Sequence, residues 1–141
     1  MSIIEVSAGL VFREGRLLIT QRQPDAHLGG LWEFPGGKRE QGETFEQCLV
    51  RELQEELAIE ISIRGEFEEI THAYPGKTVF LKFFCCDWKR DEPQALGCHA
   101  FEWVTLEDLD RFPFPAADAR LLLRLKSEPF HFASDHLKAT P

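Results

Sequence analysis

Three glutamates in the segment RELQEEL, residues 51 to 57, have a spacing that suits chemistry. Glu52, Glu55 and Glu56 follow one another by three positions and then one, so a helix would present all three carboxylates on one face. Like charges at helical spacing destabilise an isolated helix by roughly 0.2–0.5 kcal/mol per pair. A divalent cation would relieve this repulsion, because Mg²⁺ takes oxygen ligands and keeps several waters. The pattern indicates either a hard-cation site or a solvated helix face.

The residues around these glutamates show helical periodicity. From Thr44 to Leu57, apolar residues recur at steps of three and four, which predicts a buried stripe on the side away from the glutamates. Thr44 suits the N-cap of this helix, and Gln47 would complete a capping box. The stretch before it, PDAHLGGLWEFPGGKREQGE, is dense in Gly and Pro and should be mostly loop. Long ordered loops in compact domains are often functional.

Strand-forming runs flank this loop and helix. Residues 3 to 22 predict a hairpin around the turn REGR, and residues 59 to 70 and 78 to 88 predict two strands joined by AYPGK. A further strand is expected at AFEWVTL, then a short helix at LEDLDRF and a last helix that starts near Pro115. Strands interrupted by two or three helices predict an α+β fold with a mixed sheet. The tail, residues 128 to 141, is expected to be loosely packed.

Composition narrows the class of protein. The 141 residues suit one domain with a single core. With 24 acidic and 16 basic residues, the formal net charge is −8, which argues against a nucleic-acid polymer as partner. No apolar run is long enough for a membrane span, and the N-terminus reads as a strand rather than a signal peptide. We expect a cytoplasmic monomer or homodimer that acts on a small molecule.

The four cysteines include no CxxC pair. Reduced core thiols are the expected state of such residues in a cytoplasmic protein. The adjacent Cys85 and Cys86 should point to opposite faces of a strand.

The spacing of the whole segment is more specific than its charges. Gly37, five residues, Glu43, seven residues and then Arg51 through Ile59 closely resemble the box of the Nudix hydrolase family, over 23 consecutive positions with one departure. The resemblance implies an α/β/α sandwich with a mixed β-sheet and a loop-helix-loop catalytic motif. It implies that Mg²⁺ or Mn²⁺ is the cofactor and that water attacks a diphosphate linkage.

The same resemblance implies roles for residues of the box. The implied metal site consists of Glu52, Glu55, Glu56 and Gly36. Glu52 is the first choice of general base. Arg51 and Glu43 would pair with each other and orient the metal-binding carboxylates, and they join Glu52 and Glu55 as the candidate catalytic residues. Gly36 and Gly37 would allow a tight turn and a close backbone approach.

Outside the box, QRQPDAHLGGLWEFPGG is similar to the stretch that precedes the box in MutT-type members, which cleave oxidised purine nucleoside triphosphates, and in relatives that act on cytidine nucleotides. The positions that this similarity assigns to substrate binding are Arg22, His27, Phe34, Lys77 and Asp118. Arg22 and His27 would contact phosphate, Phe34 would pack beside the base, and Lys77 would lie near the nucleotide. Asp118 would read the edge of the base, because a carboxylate accepts hydrogen bonds when ionised and donates one when protonated.

Each of these five positions also has a plain structural interpretation. Arg22, His27 and Lys77 could be solvated surface residues. Phe34 could be a core residue. Asp118 could be a charge that favours the start of the last helix.

Two positions depart from the family pattern. Ala58 stands where the box usually has Gly, so the turn that ends the helix is expected to differ. Gly97 stands where MutT-type members have a further metal-associated glutamate. Either Glu92, His99 or Glu102 substitutes for it, or fewer metals bind.

These observations predict a Mg²⁺-dependent hydrolase that converts a (deoxy)nucleoside triphosphate, first of all 8-oxo-dGTP, to nucleoside monophosphate and pyrophosphate. Such an activity cleans the nucleotide pool and thereby serves DNA repair. One alternative is a hydrolase of CTP-type nucleotides or ADP-ribose. Another is a Nudix-fold module that binds a modified base without cleaving a substrate.

Overall fold

In a computed structural model of the protein, residues 2 to 128 are described. The elements are the strands β1 Ile3–Arg13, β2 Arg16–Gln21, β3 Trp32–Glu33, β4 Gly36–Lys38, β5 Glu60–Tyr74, β6 Lys77–Arg90 and β7 Ala100–Val104, and the helices α1 Phe45–Leu57 and α2 Ala119–Ser127. Two 3-10 helices, Glu107–Arg111 and Ala116–Asp118, precede α2. Most of the predicted tail, residues 129 to 141, lies outside the described residues. Within residues 2 to 128, every helix is too short or too polar to cross a membrane.

The strands form one mixed sheet. β1 runs parallel to β6 from Ile3 opposite Thr78 to Phe12 opposite Asp87, and the other pairings are antiparallel. On its other side, β1 pairs with β4 near its start and with β2 near its end, and β2 also pairs with β3 and β7. The mixed sheet confirms the predicted α+β class.

One α-helix covers each face of the sheet. Consecutive strand residues point to opposite faces, so Leu10 packs in the core that contains Leu121 of α2, whereas Val11 packs in the core that contains Leu53 of α1. The result is the α/β/α sandwich that the family resemblance implied. Cys85 and Cys86 separate between the two cores as predicted, and all four cysteines are buried and free.

Helix α1 begins at the predicted cap. The Thr44 hydroxyl accepts a hydrogen bond from the Gln47 N–H at 3.0 Å, and the Gln47 side chain accepts one from the Thr44 N–H at 2.9 Å. Such a cap stabilises a helix by about 1 kcal/mol. The buried residues of α1 are Cys48, Leu49, Leu53 and Leu57. Because burying one Leu contributes roughly 1.5–3 kcal/mol, packing outweighs the repulsion among the glutamates.

The turn after α1 contradicts the expectation drawn from Ala58. Ala58 adopts the left-handed conformation, with φ 56° and ψ 35°, so the helix ends as it would with glycine. This conformation costs alanine roughly 1–2 kcal/mol. The Ala58 N–H offsets part of that cost by capping the carbonyls of Gln54 and Leu53, and the next side chain, Ile59, is buried. The expectation of a different turn is therefore wrong.

The Gly- and Pro-rich stretch contains two strands that the sequence pattern does not reveal. β3 pairs with β2, and β4 pairs with β1. Strands of two or three residues are too short to show alternation of apolar and polar residues. A second difference lies near the C-terminus, where the 3-10 helix Ala116–Asp118 occupies the predicted first turn of the last helix.

Candidate active site

A cavity of about 450 Å³ is lined by residues of β1, β6, α1 and the loop before α1. All five residues predicted to bind substrate line it, namely Arg22, His27, Phe34, Lys77 and Asp118. Glu52, Glu56 and Gly36 of the predicted metal site line it as well. A cavity of this size suits a small-molecule ligand. The fold therefore brings residues from positions 22 to 118 of the chain to one place.

Arg51 connects the glutamates at the α1 end of this cavity. Its Nε and Nη2 donate to the two carboxylate oxygens of Glu43 at 2.6 and 3.0 Å. Its Nη1 donates to Glu52 at 2.9 Å and to Glu55 at 3.0 Å. Bidentate, charge-assisted bonds of this kind are strong, and hydrogen bonding to Arg51 lowers the pKa of Glu43 to about 2. The pair expected between Arg51 and Glu43 is present.

The carboxylates of Glu52, Glu55 and Glu56 have different neighbours. Glu52 lies against Gly37, whereas Glu56 lies against Gly97. Glu55 bonds to Arg51, and its side chain is 59% exposed. Between residues 2 and 128, no group of three or more His, Cys, Asp or Glu side chains converges in a way that could hold a metal ion. Mutual repulsion of like charges favours this separation.

The donor set nevertheless fits a hard divalent cation. Burial raises the pKa of Glu52, although Arg51 opposes the rise, and burial also raises the pKa of Glu56. The charges of Glu52, Glu33 and Glu55 raise the pKa of Glu56 further. A cation bound by these carboxylates would balance the charge, since its own charge dominates such a site.

Two glycines bring β4 close to its neighbours. A Cβ added to Gly37 would lie less than 3.0 Å from the carboxylate of Glu52, and one added to Gly36 would lie less than 3.0 Å from the carbonyl oxygen of Ser7. β4 pairs with β1 through these same glycines, with Gly37 opposite Ser7. The close backbone approach expected of Gly36 and Gly37 is therefore present.

Arg22 lies where this cavity borders a second one of about 180 Å³. Its guanidinium donates to Glu33 at 3.1 Å and to the carbonyl oxygen of His27 at 2.6 Å. Contact with a phosphate would require Arg22 to share these bonds or exchange them. The exposed His27 ring meets the ring of Tyr74 edge-on, with 5.3 Å between centroids. The loop that carries His27 thus contacts the end of β5.

Phe34 belongs to the core and to the cavity at once. It is 4% exposed and packs against Phe83 and Phe114, with centroid distances of 6.5 and 5.3 Å. The two interpretations of Phe34 are therefore compatible. Lys77 begins β6 and lines the cavity, with its Nζ 5.8 Å from the centroid of the Tyr74 ring.

Asp118 occupies the N-cap position of α2, but its side chain makes no capping hydrogen bond. The residue is 8% exposed and lines the cavity. Burial, together with the negative charge of Glu33, raises the pKa of Asp118 to about 6. Its carboxyl group is therefore placed for contact with a ligand rather than for capping.

Two further cavity residues escape the sequence analysis. Glu33 lines both cavities, and burial raises its pKa although Arg22 opposes the rise. Lys38 follows Gly37 directly and lines the larger cavity. In the sequence, only their position in WEFPGGK, beside Phe34 and Gly37, indicates that Glu33 and Lys38 belong to the site. This signal is weak, because a lone acid or base in a Gly-rich loop is usually a solvated residue.

None of the three residues expected to substitute at Gly97 lines either cavity. Glu92 accepts two hydrogen bonds from Arg13, at 2.7 and 3.1 Å. His99 and Glu102 are exposed. Gly97 lines the smaller cavity beside Glu56. None of these three residues supplies a carboxylate near Gly97, where the carboxylates that line the smaller cavity are those of Glu33 and Glu56.

Comparisons with known proteins agree with this architecture. Residues 7–124 match the family model described as NUDIX domain. The 8-oxo-dGTP diphosphatase of Escherichia coli (strain K12) is 35% identical over 127 residues, which covers 89% of this chain and 98% of the relative. The CTP pyrophosphohydrolase of the same strain is 35% identical over 122 residues, which covers 86% of this chain and 90% of the relative.

A solved structure shows the same fold. The solution structure of the Escherichia coli ORF135 protein superposes with a TM-score of 0.78 at 34% identity, covering 92% of this chain and 95% of that chain. The family match spans the seven strands apart from the start of β1. It also includes the whole of α1 and most of α2. The chain therefore belongs to the NUDIX domain family.

Proposed function

We propose that the protein hydrolyses a (deoxy)nucleoside triphosphate to nucleoside monophosphate and pyrophosphate, with 8-oxo-dGTP as the first candidate substrate. The observation that carries this proposal is the shared cavity, because Phe34 and Asp118 line it together with Glu52 and Glu56. A nucleotide bound there would have its base near Phe34 and Asp118 and its phosphates near the glutamates. The name of the 35% identical 8-oxo-dGTP diphosphatase supports the same substrate class.

Glu52, Glu55 and Glu56 would hold Mg²⁺, or Mn²⁺ in its place, together with the backbone at Gly36. The bound ion would supply charge neutralisation of phosphate oxygens and a lowered pKa of coordinated water. Glu52 and Glu55 both bond to Arg51. The guanidinium therefore limits the directions in which their oxygens can turn.

Glu52 is the proposed general base. It lines the cavity, and it is held between Arg51 and Gly37. Burial raises its pKa, which favours acceptance of a proton from an attacking water. Arg51 and Glu43 act through Glu52 and Glu55, whose orientation they fix.

Cationic side chains around the cavity would bind the phosphates. Arg22, Lys38 and Lys77 line it, and His27 extends this group at the exposed loop. Such local charge matters because the whole protein carries a formal net charge of −8 and repels a polyanion at long range. A cytoplasmic location and a role in cleaning the nucleotide pool are part of this proposal.

A CTP-type nucleotide is the second candidate substrate. The Escherichia coli CTP pyrophosphohydrolase is 35% identical to this chain, as is the 8-oxo-dGTP diphosphatase. An ionised Asp118 can accept a hydrogen bond from the exocyclic amino group of cytosine. The base-binding residues are compatible with either nucleotide, so direct comparison of substrates decides between them.

A substrate panel with Mg²⁺ tests the proposal. We expect pyrophosphate release from nucleoside triphosphates, fastest from 8-oxo-dGTP among that nucleotide, dGTP, CTP and dCTP, with ADP-ribose as the non-triphosphate comparison. Glu52→Gln should lower the rate by about 100-fold or more. Glu46→Gln, which changes an exposed glutamate in the first turn of α1, should leave it unchanged. If no triphosphate releases pyrophosphate, the proposal fails and a binding module becomes the better interpretation.

A further inference from the structure

The loop between β6 and β7, residues 91 to 99, packs against the C-terminal end of α1. The Gln94 N–H donates to the carbonyl oxygen of Leu57 at 2.9 Å. The N–H groups of Leu96 and Gly97 both donate to the carbonyl oxygen of Glu56 at 3.1 Å. A helix end leaves such carbonyls without intrahelical partners, and α1 has no basic residue in its last turn. The loop therefore caps the helix segment that carries Glu56.

This loop is held on the sheet at both ends. At the start, Trp88 donates through its ring N–H to the carbonyl oxygen of Asp91 at 2.8 Å. Glu92 binds Arg13, whose guanidinium lies 3.7 Å from the centroid of the Trp88 ring. At the end, the His99 N–H donates to the carbonyl oxygen of Gln21 at 2.8 Å. Contacts at the start of the loop, at its end and with the last carbonyls of α1 thus fix the position of Gly97 relative to α1.

Gly97 leaves space that the Glu56 side chain uses. The three heavy atoms nearest to an added Cβ all belong to the Glu56 carboxyl group, and each would lie less than 3.0 Å away. Gly97 is not among the glycines with positive φ, so its backbone conformation is open to other residues. What the position requires is the absence of a side chain. The loop residues 93 to 99 contain no Asp or Glu, so their contribution to the site is this space.

We propose that Gly97 is a positioning residue for Glu56, an inference that rests on the proposed function because it takes Glu56 as a metal ligand. Gly37 has the same relation to Glu52, since an added Cβ there would also meet a carboxylate. The two α1 carboxylates that line the cavity, Glu52 and Glu56, therefore each lie against a glycine, one on β4 and one on the loop. A side chain at position 97 would displace the Glu56 carboxylate and weaken metal binding.

Mn²⁺ binding to the nucleotide-free protein, measured by calorimetry and by electron paramagnetic resonance, tests this inference. Gly97→Ala should raise the Kd for Mn²⁺ by about 10-fold or more, the range found when groups that orient metal ligands are changed. The matched control is Gly65→Ala, because an added Cβ at Gly65 meets nothing within 4 Å and its φ is not positive. The control should bind Mn²⁺ like the wild type.

Kinetics at saturating Mn²⁺ give a second reading of the same variants. Gly97→Ala should lower kcat, whereas the KM for the nucleotide should change by less than about twofold, because the base and phosphate contacts are left in place. A general loss of fold would instead lower the melting temperature and disturb both parameters. Gly97→Ala should fold, since the three nearest neighbours of the new methyl group all belong to one flexible side chain.

A double-variant cycle separates positioning from other effects. In a Glu56→Gln background, Gly97→Ala should change the Kd for Mn²⁺ by less than about twofold, because residues that act through one another are not additive. An equal effect in both backgrounds, or no effect in the wild-type background, would overturn the inference and leave the proposed function intact. Absence of Mn²⁺ binding by the wild type would overturn both.

Discussion

A lysine at position 51 would keep the positive charge of Arg51 but lose its planar fork. Arg51 donates to Glu43, Glu52 and Glu55 at once, which a single ammonium group cannot reproduce. We expect Arg51→Lys to lower kcat by roughly 10–100-fold and to leave the KM for the nucleotide nearly unchanged, since Arg51 does not line the cavity. Steady-state kinetics against Arg16→Lys, an exposed arginine at the start of β2, measure this. An unaltered kcat would show that the carboxylates need no such fork.

Asp118 should make the stability of the protein depend on pH. Its pKa of about 6 lies above the ordinary value of 3.8, so the folded protein holds this proton more tightly than the unfolded chain does. The resulting stabilisation is complete below about pH 4 and is lost as the pH rises through 6. Its size is at most about 3 kcal/mol, at roughly 1.4 kcal/mol per pKa unit.

Asp118→Asn removes the titrating group and tests this dependence. The free energy of unfolding, measured in urea at pH 4.5 and pH 7.5, should fall less over this interval in the variant than in the wild type. If the free energy of unfolding fell by the same amount in both proteins, groups other than Asp118 would cause the pH dependence. The pH profile of kcat/KM should show an apparent pKa near 6 in the wild type. Asp118→Asn should lose it if the ionised carboxylate accepts a hydrogen bond from the base.

Single residues differ in how far the sequence identifies them. The box residues can be identified because their fixed spacing is specific, and the pair formed by Arg51 and Glu43 is present as expected. The direction in which each carboxylate points cannot be predicted from sequence. It depends on which residue of another element lies against that side chain, as Gly97 lies against Glu56. Glu33 belongs to the site because it lines both cavities and contacts Arg22, and neither property has a local sequence signal.

At the level of elements, the end of α1 carries strain that one substitution can remove. Ala58 has φ 56°, where glycine is favoured. Ala58→Gly should raise the free energy of unfolding by about 0.5–1 kcal/mol, because relief of left-handed strain exceeds the added entropy of the unfolded chain. The opposite sign is expected for Ala119→Gly, since Ala119 has the right-handed φ of −55°. Urea denaturation of both variants measures this, and destabilisation by Ala58→Gly would contradict it.

The sequence predicts best those elements whose formation depends on residues within one short segment. Helix α1 is confirmed because its cap at Thr44 and its apolar stripe lie within one segment. The β1–β2 hairpin is confirmed for the same reason, with its turn at Glu14 and Gly15. β3 and β4 are formed by pairing with β2 and β1, and they are too short to have a periodicity of their own. The strand boundaries also extend beyond prediction, as in β5, which continues to Tyr74.

For the whole molecule, the sheet order depends on contacts that periodicity cannot supply. The central parallel pairing places Ile3 opposite Thr78, and no local pattern relates these residues. Resemblance to the Nudix box supplied the layered architecture, and the family match over residues 7–124 confirms it. The shared cavity follows from that architecture, since its walls come from β1, β6 and α1.

The charge of the whole molecule makes the divalent ion a condition for nucleotide binding. A formal net charge of −8 and the carboxylates of Glu52 and Glu56 at the cavity oppose a triphosphate unless a cation is present. A non-hydrolysable triphosphate analogue should therefore raise the Tm little unless Mg²⁺ accompanies it. Together they should raise it by roughly 5–10 °C, since ligand at 100 times its Kd stabilises by about 2.7 kcal/mol and each kcal/mol shifts Tm by about 2–4 °C.

Chelation with EDTA should reverse this shift, because the nucleotide then meets the uncompensated carboxylates. A variant with Glu52→Gln, Glu55→Gln and Glu56→Gln provides the matched comparison. It should bind Mg²⁺ poorly, and its Tm in the analogue should not depend on the ion, since the charges that couple the two ligands are gone. If the analogue stabilised the wild type equally with Mg²⁺ and with EDTA, then Arg22, Lys38 and Lys77 alone would hold the phosphates, and the glutamates would have no part in binding.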